Sequence, residues 1–268
     1  MNKKSFFKKN GYIYCPSLFS NTELNYFLDL NTHLHKNSNV QFTQLHNEKR
    51  AWPLITNQKI INILKEITGE KVYYLYHSHS ALQSEHSKID NNWHRDSTCR
   101  KFGVGNDWSE SYNVIRVAIY LDEGSKSGLN IIKKSHNSKG YICKTLNFLR
   151  SNLKKIYHKK IFRNLFDNII GTKIFAKPGD CIFFYATTYH SALRNDYKDK
   201  VFDRKAFFLS YGTNNHHSKD FMNYYLFHRG GQFDIDEKIK LELFENLKSK
   251  EIQIDPPKEK VNIFGAAT

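Results

Sequence analysis

The chain has 268 residues, a formal net charge of +15, and 40% hydrophobic and 15% aromatic residues. This composition excludes a disordered chain, and the length suffices for one elaborated β domain with a sizeable buried core. No run of about eighteen apolar residues occurs and the lysine-rich N-terminus lacks an apolar segment, so we expect neither a transmembrane helix nor a secretory signal.

Helix and strand signals alternate over the first third of the chain. The predicted elements are a helix over about residues 21–35, a second helix over 58–68 and a long strand over 72–83. Ser20 or Asn21 is a suitable N-cap for the first helix, and Glu23 lies in its first turn. Gly69 is suited to end the second helix. A polar loop follows the strand.

A histidine and an aspartate come directly after this loop, in the stretch Asn92-Trp93-His94-Arg95-Asp96. Positions i and i+2 of a strand point to the same face, so His94 and Asp96 can present an imidazole and a carboxylate to one metal ion. A lone His-x-Asp is common by chance. The motif therefore needs a third ligand and a supporting context.

The strand predicted over residues 114–121 has two different faces. One face is fully apolar, whereas Arg116 and Tyr120 share the other with an alanine, and we expect this mixed face to line the site. A buried arginine without an anionic partner is costly. Its partner is either Asp122 or Glu123 at the strand end, or an anionic group of the substrate, and the sequence leaves both open.

Most of the excess positive charge lies in one segment. Between Lys133 and Lys173 there are eleven Lys or Arg residues against one acidic residue, Asp167. Apolar residues at steps of three and four predict one or two amphipathic helices here. We expect a basic helical insertion over about residues 137–173. It is either a helix packed on the sheet with a solvated lysine face, or a lid or docking surface beside the site.

The third metal ligand is predicted almost a hundred residues after the first two. Residues 177–190 read as a Pro-Gly-Asp turn and a hydrophobic strand that ends in His190, with Thr188 on the same strand face. A histidine in that position is more often a hydrogen-bonded core residue. If the strand lies antiparallel across a barrel, however, His190 meets the other two ligands. Two histidines and one carboxylate leave the opposite metal positions open, which is typical of non-haem Fe(II) oxygenases.

A strand beginning at Arg204 is predicted next, over residues 204–211. Ser210 lies on the same strand face as Arg204, and the small residues on this face leave room for a cofactor. The remaining residues, about 214–268, form a predicted C-terminal extension with a helix around 234–249. We can assign this extension no function from its sequence.

Taken in order, these motifs resemble the phytanoyl-CoA dioxygenase family of Fe(II)- and 2-oxoglutarate-dependent oxygenases. The resemblance extends to about residue 212 and is carried by segments 7–20, 93–96, 120–123 and 127–136, by Gly179-Asp180, and by His190, Asn195 and Arg204. Lys134 stands where the family usually has a glycine. The resemblance implies one domain, 1–268, that is mainly β with flanking helices around a double-stranded β-helix (jelly roll, cupin-like) core.

The resemblance also implies the cofactors and their ligands. His94, Asp96 and His190 would bind Fe(II), with 2-oxoglutarate as co-substrate and O2 as oxidant. Arg204 matches the arginine that holds 2-oxoglutarate, because a guanidinium fork fits a carboxylate. Arg194, in the preceding turn, is the second choice for this role.

Further contacts are expected around this centre. Thr188 and Ser210 are predicted beside the co-substrate, and Trp93, Arg116 and Tyr120 beside the primary substrate. The chain departs from the family at Ala192, where a serine is frequent, and at Ala118, where an aromatic residue is frequent.

These features predict a hydroxylase that acts on an unactivated C–H bond of a small polar or anionic metabolite, in specialised or cell-surface metabolism. Asp96 supplies the carboxylate that halogenating relatives lack, while desaturation and cyclisation stay open. The alternatives are a non-redox cupin-type metalloenzyme, a basic protein that binds nucleic acid or a membrane surface, and an oxygenase that modifies nucleic acid or protein.

The compartment and the partners follow from composition and from absent motifs. Four cysteines are scattered without a C-x-x-C pair, which argues against a disulfide framework and a structural zinc site. We therefore expect a cytoplasmic protein. We expect a small-molecule substrate rather than nucleic acid, because no nucleic-acid reader motif is recognised, and the oligomeric state is left open.

Overall fold

The computed structural model describes residues 2–36, 41–83, 93–97, 113–122, 127–137, 171–193, 204–228 and 233–252. Within these residues the helices are α1 (Lys3–Asn10), α2 (Asn21–Leu34), α3 (Trp52–Ile55), α4 (Gln58–Thr68), α5 (His216–His228) and α6 (Lys240–Ser249). The strands are β1 (Tyr12–Cys15), β2 (Gln41–Phe42), β3 (Tyr73–Tyr74), β4 (His79–Gln83), β5 (Ile115–Tyr120), β6 (Gly128–Ile131), β7 (Thr172–Phe175), β8 (Cys181–Tyr185), β9 (His190–Ala192) and β10 (Arg204–Gly212).

Local capping signals set the ends of the two long N-terminal helices. Ser20 is the N-cap of α2, and its backbone N–H donates to the Glu23 carboxylate at 2.7 Å while the Glu23 N–H donates to the Ser20 hydroxyl at 3.3 Å. This reciprocal pair is a capping box. Gly69 ends α4 with a φ of 79°, which a residue without a side chain adopts easily. Both predicted helix boundaries are confirmed.

Two antiparallel sheets form the centre of the fold. The larger sheet has the strand order β1-β8-β5-β10-β4-β2, with β3 pairing the far end of β10, and the smaller has the order β7-β6-β9. An antiparallel bridge between His94 and His190 adds the segment 93–97 beside β9. Helices flank the sheets, and the predicted jelly-roll class is confirmed.

The apolar core lies on both faces of the larger sheet. On one face, Ile115, Val117 and Ile119 of β5 pack in a cluster with residues of α1, α2, α4 and α5. On the other face, Ala118 and Tyr120 pack in a second cluster with residues of the smaller sheet. The alternation predicted for this strand is therefore confirmed, and its mixed face looks into the space between the sheets.

The long strand predicted over residues 72–83 is interrupted. Tyr76 has a φ of 61°, and the N–H groups of His77 and Ser78 donate to the carbonyls of Leu75 and Tyr76, each at 2.7 Å. These turn-type bonds replace ladder bonds, so the segment divides into β3 and β4. A strand pattern alone contains no signal for this break.

The strand predicted to end in His190 is likewise divided. It ends at Tyr185, whose carbonyl accepts a turn bond from the Thr188 N–H at 2.8 Å, and the chain then crosses to the smaller sheet, where His190 starts β9. The crossing breaks the period of two, so the expectation that Thr188 and His190 share one strand face is wrong.

Several predicted segments lie outside the described residues. They are the polar loop 84–91 after the long strand, Glu123, Asn195, and residues 138–170 of the basic insertion. The end of that predicted insertion, at Thr172 and Lys173, belongs instead to β7. The C-terminal helix begins at Lys240 rather than near 234. None of the described helices combines the length and apolar character needed to span a membrane.

The Pro-Gly-Asp turn before β8 is held by one buried carboxylate. Asp180 accepts hydrogen bonds from the Tyr14 hydroxyl at 2.5 Å, from the Ser17 N–H at 2.8 Å and from the Lys177 N–H at 2.7 Å. Gly179, with a φ of 86°, allows the turn to close. Burial and then the bond to Asp180 raise the pKa of Tyr14 to about 12. These hydrogen bonds link β1 and the residues after it to the turn before β8, and so orient the strand that leads to His190.

We expect Asp180→Ala to lower the free energy of unfolding by about 2–4 kcal/mol, because three donors lose a charged acceptor. The matched control is Asp29→Ala, which removes an exposed carboxylate paired with Arg50 and should cost at most about 1 kcal/mol. Urea unfolding monitored by circular dichroism measures both changes. Equal losses in the two variants would contradict the role given to Asp180.

Candidate metal centre

Main-chain pairing brings the three predicted ligands together. The His94 N–H donates to the His190 carbonyl at 2.9 Å, and the His190 N–H donates to the His94 carbonyl at 3.0 Å. Asp96 follows two residues after His94. The donor atoms of all three side chains lie within 4.8 Å of one another. The structure thus forms the cluster of two histidines and one carboxylate that the sequence predicts.

One carboxylate oxygen faces both imidazoles. Oδ1 of Asp96 lies 3.5 Å from Nε2 of His94 and 3.7 Å from Nε2 of His190. The His190 side chain is buried, Asp96 is largely buried and His94 is about half exposed. A metal ion at this point is therefore reached from the side of His94.

Backbone contacts set the tautomer of His190. Its Nδ1 lies 3.0 Å from the carbonyl oxygen of Thr188, which can only accept. Nδ1 therefore donates and the lone pair remains on Nε2, the atom that faces Asp96. Such a bond is the usual way in which a ligating histidine is oriented.

The electrostatics give both buried ligands the protonation state that a metal requires. Burial alone would raise the pKa of Asp96, but the charges of His190 and Arg116 and the bond with His94 outweigh it, so this pKa lies well below its ordinary value. Burial, followed by the charge of His94, lowers the pKa of His190 to about 4. At neutral pH the carboxylate is ionised and the imidazole is neutral, as metal ligands must be.

Arg116 is placed in the site, but its partner differs from the expected ones. Its side chain is 1% exposed, its Nε donates to Oδ2 of Asp96 at 2.8 Å, and its Nη1 donates to the His77 carbonyl at 2.5 Å and to the Ser210 hydroxyl. Asp122 accepts instead from Ser127. The expected pairing with Asp122 is therefore wrong, because Asp96 is the carboxylate that pairs with Arg116. Glu123 lies outside the described residues, and an anionic group on the substrate stays a prediction.

The two hydroxyls predicted beside the co-substrate have protein partners. The Thr188 hydroxyl donates to the Gly11 carbonyl at 3.0 Å, and the Ser210 hydroxyl donates to the His77 carbonyl at 2.5 Å. Thr188 thus ties the turn before β9 to the N-terminal segment. Ser210 supports Arg116, its opposite residue in the pairing of β10 with β5.

The structure gives the burial of two of the remaining predicted residues and the strand register of a third. Trp93 and Tyr120 are buried, the first beside His94 in sequence and the second in the cluster between the sheets. Arg204 is the first residue of β10 and lies opposite Gln83 in the pairing with β4. Arg194 lies outside the described residues.

The sequence analysis missed two further residues near the cluster. His79, on β4, stacks on Phe208 with ring centroids 4.9 Å apart, and burial, followed by the charge of Arg116, lowers its pKa to about 3. Tyr225, on α5, donates its hydroxyl to the Asp96 carbonyl at 3.2 Å and stacks on His77 at 3.5 Å. The alternation of β4 could have suggested His79, but nothing local could have suggested Tyr225.

No protein-family model matches the chain, and no curated protein matches its sequence. Solved structures do share its fold. HygX from Streptomyces hygroscopicus, with nickel and 2-oxoglutarate bound, is 13% identical with a TM-score of 0.58, over 78% of this chain and 85% of HygX. EctD from S. alaskensis with bound Fe is 15% identical with a TM-score of 0.57, over 79% of this chain and 75% of EctD.

A third similar structure is SnoN, described as a non-haem α-ketoglutarate-dependent epimerase from nogalamycin biosynthesis. It is 15% identical with a TM-score of 0.55, over 78% of this chain and 79% of SnoN. At such identities these likenesses establish the shared fold. The chain is therefore a jelly-roll protein of the architecture seen in these enzymes, and it carries a cluster of metal-ligand type.

Alanine at either histidine should abolish metal binding, because two donors remain where three are needed. Outer-shell partners alone are worth about 10–100-fold in metal affinity, so we expect losses above about 100-fold for His94→Ala and for His190→Ala. Anaerobic equilibrium dialysis against Fe(II) measures this. His216→Ala, at an exposed histidine of α5 outside the cluster, is the matched control and should bind as the parent does. Full iron occupancy in either ligand variant would refute the assignment.

Proposed function

We propose that the chain is an Fe(II)- and 2-oxoglutarate-dependent oxygenase that acts on a small molecule. The observation that carries the proposal is the meeting of His94, Asp96 and His190 at the bridge between segment 93–97 and β9. Two imidazoles and one carboxylate suit Fe(II) and leave open positions for a chelating co-substrate and O2. The shared fold supports the proposal, because HygX carries 2-oxoglutarate on it.

The protein residues have separate tasks in this function. When bound, Fe(II) and 2-oxoglutarate would supply the electrons that activate O2, and O2 is the oxidant for cleavage of an unactivated C–H bond. His190, held by the Thr188 carbonyl, offers Nε2 in a fixed direction, and Asp96 stays ionised beside Arg116. The apolar residues between the sheets limit access of water to the reacting groups.

Arg204 is our choice for the residue that binds the distal carboxylate of 2-oxoglutarate. It opens β10, a strand whose following residue on the same face, Ala206, is small and buried between the sheets. A guanidinium matches both oxygens of a carboxylate, which a lysine does not. This assignment agrees with the resemblance to the phytanoyl-CoA dioxygenase family, and we propose that the chain is a distant relative of that family.

We propose hydroxylation of a small polar metabolite as the reaction. SnoN is described as an epimerase on the same fold, so the outcome of C–H cleavage differs among proteins of this architecture. Trp93 and Tyr120 remain our candidates for substrate contacts. The argument for an anionic substrate is weaker than the sequence indicated, because Asp96 neutralises Arg116. Product analysis by mass spectrometry distinguishes hydroxylation from epimerisation and cyclisation.

Anaerobic addition of Fe(II) and 2-oxoglutarate should produce a weak charge-transfer band in the visible region. Arg204→Ala should weaken 2-oxoglutarate binding by about 2–5 kcal/mol, the range for loss of one partner of a buried charge pair, while Fe(II) affinity changes little. Titration of the band with 2-oxoglutarate measures the difference.

Two comparisons sharpen this experiment. Lys205→Ala alters the next residue on the opposite face of β10 and should leave the titration unchanged. A loss in Arg194→Ala with none in Arg204→Ala would transfer the role to Arg194. A parent protein that binds Fe(II) but shows no response to 2-oxoglutarate would favour a non-redox metalloenzyme.

A further inference from the structure

The two carboxylate oxygens of Asp96 have different neighbours. Oδ1 faces the Nε2 atoms of His94 and His190, whereas Oδ2 accepts from Nε of Arg116 at 2.8 Å. We propose that Arg116 is a positioning residue that keeps Oδ2 away from the metal, so that Asp96 binds through Oδ1 alone. This inference rests on the proposed metal centre and adds to it a residue that controls how the carboxylate binds.

Arg116 can do this because its own position is fixed. Its Nη1 donates to the His77 carbonyl and to the Ser210 hydroxyl, and the side chain is 1% exposed. Ser210 is also its direct partner in the pairing of β5 with β10. A guanidinium held on two sides inside a packed core does not follow the carboxylate when that group turns. The position of Oδ2 is therefore determined by the sheet.

The backbone of Asp96 is held independently of its side chain. Tyr225 of α5 donates to the Asp96 carbonyl at 3.2 Å, and the same tyrosine ring stacks on His77 at an angle of 9°. His77 in turn accepts from Arg116. Helix α5 therefore supports both members of the ion pair. Because the backbone of Asp96 and its Oδ2 atom are both held, rotation of the carboxylate is restricted. Only Oδ1 then faces the metal position beside the two histidines.

This restriction matters for the chemistry because carboxylates bind metals through one oxygen or through two. Bidentate binding would occupy one of the positions that the two-histidine, one-carboxylate arrangement otherwise leaves open. A chelating co-substrate needs two such positions and O2 a third. By holding Oδ2, Arg116 keeps these positions available. The positive charge of Arg116 also attracts the negative charge of the Asp96 carboxylate, so the carboxylate presents less net negative charge to the metal.

The test examines the coordination of Asp96 directly, with Co(II) as the metal. Crystal structures, or X-ray absorption, of the Co(II)-loaded parent should show one short bond to Asp96, through Oδ1. Arg116→Met removes the partner of Oδ2, and we expect both Asp96 oxygens to bind Co(II) in that variant. Co(II) should still bind, with an affinity within about 10–100-fold of the parent's, because an outer-shell partner is lost while the three ligands remain. Anaerobic 2-oxoglutarate affinity should fall by about tenfold or more, because the second Asp96 oxygen occupies a position that the chelating co-substrate needs.

A second variant and a control keep the test decisive. Arg116→Leu also lacks a donor for Oδ2 and fills less of the core than methionine, so it replaces Arg116→Met if that variant does not fold. Arg95→Gln changes an arginine adjacent to Asp96 in sequence whose guanidinium lies 3.9 Å from the Tyr189 ring and donates to the Ser135 carbonyl. It should leave the coordination of Asp96 unchanged.

Each outcome separates this inference from the proposed function. Two Asp96 oxygens on Co(II) in the parent, or one oxygen in both Arg116 variants, would overturn the positioning role even if 2-oxoglutarate binds. One oxygen in the parent and two in the variants, without any 2-oxoglutarate binding, would support the positioning role and refute the proposed function. A parent that binds no Co(II) would refute the metal centre and this inference with it.

Discussion

The candidate site depends on one short piece of main-chain pairing. Two hydrogen bonds between His94 and His190 join a five-residue segment to the first residue of β9. Both histidines are thereby brought to neighbouring positions, and Asp96 follows two residues along the chain. The three donor atoms come from segments almost a hundred residues apart, so the site exists only when segment 93–97 pairs with β9 of the smaller sheet. Folding of the jelly roll and assembly of the metal centre are in this sense one event.

The charges of the site are balanced within the protein. A carboxylate and a guanidinium lie together between the sheets, where removal of either one would leave an uncompensated buried charge. A buried ion pair is weak evidence for added stability, since desolvation offsets much of the attraction between its members. Its retention here is better explained by orientation: Arg116 and the Thr188 carbonyl direct, respectively, a carboxylate oxygen and an imidazole nitrogen toward a common point.

The C-terminal extension is part of the site's support. Tyr225 and Phe221 of α5, together with Phe233, surround the ring of His77, and Tyr225 reaches the carbonyl of Asp96. Aromatic contacts of this kind are directional and add to simple burial. Helix α5 of the extension therefore holds the segment 93–97, which carries His94 and Asp96, through the bond from Tyr225 to the Asp96 carbonyl. Truncation before α5 would remove these contacts while leaving all the described strands of the jelly roll in the chain.

The sequence by itself determined the periodic and capped parts of this protein: the α2 and α4 boundaries, the two faces of β5, and the identity of the three candidate ligands. The helix boundaries and strand faces depend on residues close together in the chain, where capping and alternation act. The three ligands were predicted instead from motifs almost a hundred residues apart, whose order resembles that of an oxygenase family. Only the tertiary structure decided that Asp96 is the partner of Arg116, that the segments 72–83 and 177–190 are each broken, and that Tyr225 supports the site. A strand break at a residue such as Tyr76, and a partner 20 or 129 residues away, result from how the sheets and helices pack, and no local pattern encodes that packing.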